Sequence, residues 1–245
     1  MDRLFSYGLD APPVVRNLLL GSFFCGALFV LDLVGILPIH VNGLIWPTLS
    51  MGAGAIAMIW SSARGKIRER EIILDRIDWR GDERVIDIGC GRGLFTVAAA
   101  RRVPRGHVVG IDIWQAEDLS GNGPGAVIAN AAREGVSGRV ECRSADMREI
   151  PFPDNSFDVA LSSAAIHNLY DAADRARAIR EIARVLAPDG RLVISDIRHL
   201  SDYARWAREA GIATVISRSI GDQIWRLGSF GFLAPGLVLG RKGPE

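Results

Sequence analysis

The sequence predicts an α/β domain built on a seven-stranded, mostly parallel sheet with helices on both faces, preceded by two hydrophobic helices. Three observations predict it. From residue 66 onward, short β-prone runs alternate with helical patterns, as βαβ units require. The first of these runs feeds a turn with glycine at every second position, Gly89-Cys-Gly-Arg-Gly93. Before residue 61, two apolar runs of helical length carry almost no charge.

The elements follow in chain order. Leu18–Ile39 is apolar apart from Asp32. A helix of that length reaches about 33 Å, enough to cross the hydrocarbon core of a bilayer. Val41–Trp60 carries no charge, and Pro38-Ile-His-Val-Asn42 between the two runs suits a turn. Ser22 and Gly26 in the first run, and Ala53 and Ala57 in the second, are small residues at helical spacing that let two helices approach closely. Arg64, Lys66, Arg68 and Arg70 follow, a basic flank of the kind retained in the cytoplasm. Residues 1–62 therefore read as a membrane hairpin with both ends cytoplasmic, and residues 63–245 as the domain it anchors. A cleaved leader and a hairpin buried against the domain are the other readings of this pattern. Asp32 is costly in lipid unless it faces the partner helix or is protonated.

Lys66–Ile77 reads as an amphipathic helix through Ile67, Ile72, Ile73 and Ile77. Strands are expected at Arg84–Ile88, His107–Asp112, Arg139–Arg143, Phe157–Ser162, Arg191–Asp196, Thr214–Arg218 and Phe232–Leu239. Helices are expected at Leu94–Arg102, Gly125–Glu134, Ala172–Leu186 and Ser201–Ala210.

Ligands of such sheets bind at the carboxyl ends of the strands. The first strand ends in the glycine turn, which backbone alone lines, at a helix N-terminus. A nucleotide-like ligand can press against it. Asp87 lies inside that strand, where a carboxylate would repel a pyrophosphate and attract a cation. The second strand ends in Asp112, the position from which a carboxylate grips ribose hydroxyls. The third leads into Ser144-Ala-Asp146-Met147 and the fourth into Ser162-Ser-Ala-Ala-Ile-His167-Asn168.

This ordered set resembles the class I S-adenosylmethionine-dependent methyltransferases, over roughly residues 66–245. The family's glycine motif matches Asp87-Ile-Gly-Cys-Gly-Arg-Gly93. Ile150-Pro-Phe-Pro-Asp-Asn-Ser-Phe-Asp158 looks like its lead into the fourth strand, and Arg180–Ile194 like its helix, Pro-Gly turn and fifth strand, here with Asp189 before Gly190. The resemblance implies a Rossmann-like fold and S-adenosylmethionine as cofactor. It implies that Asp87, Gly89, Gly91 and Gly93 hold the methionine end, and Asp112 the ribose. It also implies that Asp146 and the Met147 backbone meet the adenine, with Trp114 along its face and Ser162 on the cofactor side of the fourth strand. One departure stands out: the connection at residues 113–124 is longer than usual for the family, which makes it a candidate lid or a plain surface loop.

A sulfonium methyl group needs a nucleophile held in line and a base for the departing proton. His167, after the fourth strand, is the candidate base, since an imidazole titrates near neutrality. Asp196, Arg198, His199 and Tyr170 are lesser candidates. No metal is expected, because Ser162-Ser163 stands where a magnesium site would place carboxylates. Cys90 reads as a small apolar filler, and the scattered Cys25, Cys90 and Cys142 form neither a disulfide framework nor a metal motif. Residues 61–245 are close to neutral and show no basic stripe, so nucleic acid is not an expected partner. The hairpin places the site at a membrane, which favours a small, lipophilic methyl acceptor. Two rival readings are a dinucleotide oxidoreductase and a non-catalytic tethered binding module. Asp87 and the Gly-x-Gly-x-Gly spacing oppose the first, and an intact motif opposes the second.

Overall fold

The computed structural model describes residues 6–37, 40–115, 119–219, 221–223 and 234–244. It forms two compact units: Met1–Glu69 with Gln115–Asn122, and Arg70–Trp114 with Gly123–Glu245. Helix runs without a break from Ile45 to Leu74, through both the expected boundary at residues 62 and 63 and the division at 69 and 70.

The first unit contains α1 (Pro12–Leu33) and α2 (Ile45–Trp60). The second helix runs on through a π turn at Ser61–Gly65 into α3 (Lys66–Leu74). Helix α1 starts before the expected Leu18 because proline is at home in a first helical turn, where its missing N–H is an orphan anyway. It stops short of the expected Ile39, itself outside the described residues. Gly35, at φ 73°, closes the helix: its N–H donates to the Asp32 carbonyl (2.9 Å), and that of Ile36 to the Leu31 carbonyl (3.0 Å).

Ser22 and Gly26 do face the partner helix, against Gly52 and Thr48. A Cβ on Gly21 would lie 2.8 Å from the Met51 sulfur. On α2, however, the packed small residues are Gly52 and the fully buried Ala55, while Ala53 and Ala57 are exposed. Small residues surround this stretch of α2, so spacing alone could not select the inward face. Asp32 is buried and ties the hairpin turn. Its Oδ2 accepts the Val41 N–H at 2.9 Å, and its Oδ1 lies 3.2 Å from His40 Nδ1. Only 6% of each apolar helical window is buried, with Leu20, Phe23, Phe24, Trp46, Ile56 and Trp60 facing outward. Both helices are long and apolar enough to cross a membrane.

The second unit holds a seven-stranded sheet. Its strands are β1 (Arg84–Ile88), β2 (His107–Asp112), β3 (Val140–Ser144), β4 (Phe157–Ser163), β5 (Leu186–Asp196), β6 (Ile212–Ser217) and β7 (Gly236–Lys242). The spatial order is β3-β2-β1-β4-β5-β7-β6. Strands β1 to β5 are parallel, and β7 runs antiparallel to both β5 and β6. Strand β5 begins earlier than expected. Leu186 already pairs with Phe157, and the register then shifts before Arg191 meets Val159. Strand β7 begins later than the expected Phe232, which lies outside the described residues. Helices α4 (Leu94–Arg102), α5 (Pro124–Arg133), α6 (Ala172–Val185) and α7 (Leu200–Glu209) complete the unit.

Both faces of the sheet are buried. Val85, Val108, Val159 and Leu161 pack with Phe95, Val97 and Val127. Ile86, Ile88, Ile111 and Ile194 pack on the other face with Ile179, Ile182, Tyr203 and Trp206. Strand order reverses direction between β1 and β4, which opens a crevice at their carboxyl ends.

One buried cation braces α3 against α4 and α5. Arg70 is 3% exposed; its Nη2 reaches both carboxylate oxygens of Glu134 at 3.1 Å, and its Nε reaches Glu71 at 3.0 Å. Truncating one partner of such a pair strands the other charge. Arg70→Ala is expected to lower the unfolding free energy by about 3 kcal/mol. A fall in the urea midpoint at unchanged slope would register this, and an unmoved midpoint would refute it.

Candidate functional site

The glycine turn is built by close approach. The N–H groups of Gly89 and Cys90 both donate to the Ile111 carbonyl, at 2.8 and 3.0 Å, pinning the turn to the end of β2. Gly89 has φ 71°, and a Cβ there would lie 2.2 Å from the Ala165 Cβ. No side chain fits at that position on either count. Cys90 is buried, and burial pushes its thiol well above the ordinary range, which leaves it an inert filler.

Asp87 is 1% exposed and points toward α4. Thr96 Oγ1 donates to its Oδ2 at 2.6 Å, while Oδ1 has no partner. Burial pushes the Asp87 carboxyl up to about 7; the Thr96 hydrogen bond opposes this and the charge of Asp112 adds to it. A buried carboxylate with an open oxygen beside a glycine cradle suits a cationic group and disfavours a phosphate. The ammonium-bearing, sulfonium-bearing end of S-adenosylmethionine fits this donor set. Thr96 escaped the sequence reading, although its place one turn into the helix after the glycines is a signal that could have found it.

Asp112 closes the turn from the other side. Its Oδ2 accepts the Gly91 N–H at 2.8 Å and its Oδ1 the Trp114 N–H at 2.6 Å. Trp114 has φ 62°, a left-handed conformation unusual for a bulky residue, and its Nε1 donates to Ser144 Oγ at 2.7 Å. Beyond β3, Asp146 is half-buried, and Arg148 engages both of its oxygens with contacts of 2.6 to 3.0 Å. That guanidinium also reaches Asp174 at 2.7 Å and holds the Asp146 carboxyl below the usual carboxylate range. An adenine amino group would therefore share Asp146 with Arg148, a competitor the sequence did not reveal. Met147 packs against the core with its Cε turned toward Gly89. Ser162 is buried, and its hydroxyl donates to the Ile88 carbonyl at 2.9 Å, so its proton is committed to tying β4 to β1.

His167 lies in a short turn after β4, and the structure joins it to Asp196 at the end of β5. The separation from His167 Nδ1 to Asp196 Oδ1 is 2.6 Å, and the His167 backbone N–H donates to Asp196 Oδ2 at 3.2 Å. The Asp196 carboxyl group is fully buried and also accepts the Ile197 N–H at 2.7 Å and the Tyr203 hydroxyl at 3.4 Å. A carboxylate can only accept, so the His167 proton sits on Nδ1 and the lone pair on Nε2. The lesser candidates separate: Asp196 joins His167, His199 caps α7 at φ 59°, and Tyr170 is 98% exposed. Burial, helped by the charge of Arg175, lowers the His199 pKa. Among the described residues, no three His, Cys, Asp or Glu side chains gather as a metal site.

Comparison with known proteins bears on this geometry. Residues 86–194 match the family model of a methyltransferase domain. Nocamycin O-methyltransferase of Saccharothrix syringae is 41% identical over 139 residues, covering 55% of this chain and 45% of that protein. The ubiquinone/menaquinone biosynthesis C-methyltransferase of Vibrio cholerae is 32% identical over 148 residues, covering 58% and 48%. The chain covers less than half the length of these curated relatives. A geranyl diphosphate methyltransferase solved in complex with GPP and sinefungin superposes with a TM-score of 0.58 at 17% identity, over 75% of this chain and 80% of the other, a likeness of fold.

Proposed function

We propose that this chain, whose second unit is a class I S-adenosylmethionine-dependent methyltransferase domain, methylates a small lipophilic acceptor at the cytoplasmic face of a membrane. The observation that carries the chemistry is the His167–Asp196 pair beside the cofactor strands. Asp196 fixes the imidazole so that Nε2 is the basic nitrogen, a geometry for taking a proton. The acceptor that uses such a base is a phenol or an enol. Removing its proton spreads negative charge over the oxygen and the carbon next to the C–O carbon, so that either can be the nucleophile. The relatives named as O- and C-methyltransferases are consistent with either outcome.

When bound, S-adenosylmethionine supplies an electrophilic methyl group. Asp87 would pair with its ammonium, Asp112 would accept its ribose hydroxyls, and Trp114, Asp146 and Met147 would border its adenine. His167 Nε2 would take the acceptor's proton, and the charge gained there would be stabilised by Asp196.

The membrane assignment is supported by the outward apolar faces of α1 and α2 and by the basic flank after Trp60. Membranes from cells expressing the chain should transfer label from methyl-labelled cofactor into a solvent-extractable small molecule, and the protein should resist carbonate extraction. Label confined to protein or RNA, or protein recovered in the carbonate wash, would reject the assignment.

A further inference from the structure

Asp146 and Arg148 lie in the turn after β3, and Asp174 in the first turn of α6. In that turn Asp146 is occupied by its own neighbour. Its Oδ1 accepts the Arg148 backbone N–H at 2.8 Å and Arg148 Nε at 3.0 Å. Its Oδ2 accepts Arg148 Nε at 3.0 Å and Nη2 at 2.6 Å. The other guanidinium nitrogen, Nη1, donates to Asp174 Oδ2 at 2.7 Å. All three side chains lie at the solvent edge: Arg148 is 39% exposed, Asp146 35% and Asp174 34%. Ion pairs this exposed are individually weak, so the partners exchange at little cost.

The two oxygens of Asp146 are not equivalent. The backbone bond to Oδ1 belongs to the turn and survives any movement of the arginine side chain. Among the described residues, Oδ2 is held by the guanidinium alone. An adenine amino group gains full use of Oδ2 only when the guanidinium yields it. Asp174 offers the displaced guanidinium a seat. In the bridged state Asp174 holds one nitrogen of three; in the open state it is the partner that remains. Asp174 therefore favours opening, and Asp146 opposes it. The apparent affinity is the intrinsic one scaled by the fraction of molecules in which Oδ2 is open. Methyl transfer leaves the adenine unaltered, so cofactor and demethylated product meet the same competitor.

We propose that Arg148 is an affinity-setting occupant of the adenine subsite, displaced toward Asp174 when the amino group of the cofactor or its product arrives; this rests on the reading that Asp146 binds that amino group. The arginine loosens the hold on the product as much as on the cofactor, which favours product release.

The test uses the full chain in detergent micelles and calorimetry with two probes. One is S-adenosylhomocysteine, and the other is its analogue lacking the 6-amino group of the base. Arg148→Met is expected to tighten S-adenosylhomocysteine binding by roughly three- to tenfold. Asp174→Asn is expected to weaken it by about two- to threefold. Neither variant should move the affinity for the analogue by more than about twofold. A bridge that only braced the turn would make both variants bind more weakly, with both probes. Should Arg148→Met lower the melting temperature, Asp174→Asn alone decides, with Asp174→Glu expected to restore parental affinity. An Arg148→Met variant that folds and binds no tighter than the parent overturns the proposal and leaves the cofactor reading intact. A gain that persists with the analogue overturns it too. A parent chain that binds both probes equally overturns the role of Asp146, and one that binds neither overturns the cofactor reading itself.

Discussion

His167→Gln is expected to lower kcat by about two to four orders of magnitude while leaving S-adenosylmethionine affinity within about twofold. The expectation rests on position. His167 sits after β4, its Nδ1 side held by a carboxylate group that has no solvent exposure. Glutamine keeps much of the bulk and a hydrogen bond to Asp196 but has no basic nitrogen. Asp196→Asn gives an independent reading. An amide can donate to Nδ1 and so move the proton to Nε2, which removes the base without removing the ring. It too should cost orders of magnitude in kcat. If both variants keep the parental rate, His167 is a wall of the pocket and the acceptor needs no base.

Asp87→Asn should have two opposed effects. In the parent, burial raises the Asp87 carboxyl to about 7. A raised carboxyl means that the fold prefers the protonated form. Its contribution to cofactor-free stability is complete below the unfolded value near 3.8 and is lost as pH climbs through about 7. At pH 8 the asparagine variant, which never ionises, is therefore expected to be more stable than the parent by about 2–4 kcal/mol without cofactor. Cofactor binding should move the other way. An ionised Asp87 attracts the ammonium group, so parental affinity should tighten as pH rises from 6 to about 8. The variant should bind at least tenfold more weakly at pH 8, with a flat pH dependence. Thermal melts and calorimetry across that range test both parts. Equal affinity in parent and variant would remove Asp87 from the site.

Much of this site was legible along the chain because it is local. Asp87 and the three glycines fall within seven residues, and their chemistry follows from a strand, a turn and a helix start. Asp112 was readable because it ends the next strand. His167 was readable as a residue, but its partner was not. Asp196 ranked beside Arg198, His199 and Tyr170 until the parallel pairing of β4 with β5 carried the two strand ends to one place. Arg148 was missed because its grip on Asp146 depends on a turn conformation that no periodicity records.

The hairpin divides in the same way. Two apolar helices with an acid near the turn could be read directly. Which small residues pack could not: Gly52 meets Ser22 of the partner helix and Ala55 is buried while Ala53 and Ala57 face out, and only the phase of one helix against the other decides that. The longer connection after β2 was visible as an excess of residues. Its anchoring to Leu9, Asp10 and, through them, Lys66 spans more than a hundred positions of chain. Sequence by itself determined the strands, the cofactor motif and the apolar runs, since each arises from interactions among near neighbours. Tertiary structure decided the His167–Asp196 pair, the competitor at Asp146 and the pairing of Leu9 and Asp10 with Leu119 and Ser120. Those depend on which distant segments the packed sheet and helices bring within hydrogen-bonding distance.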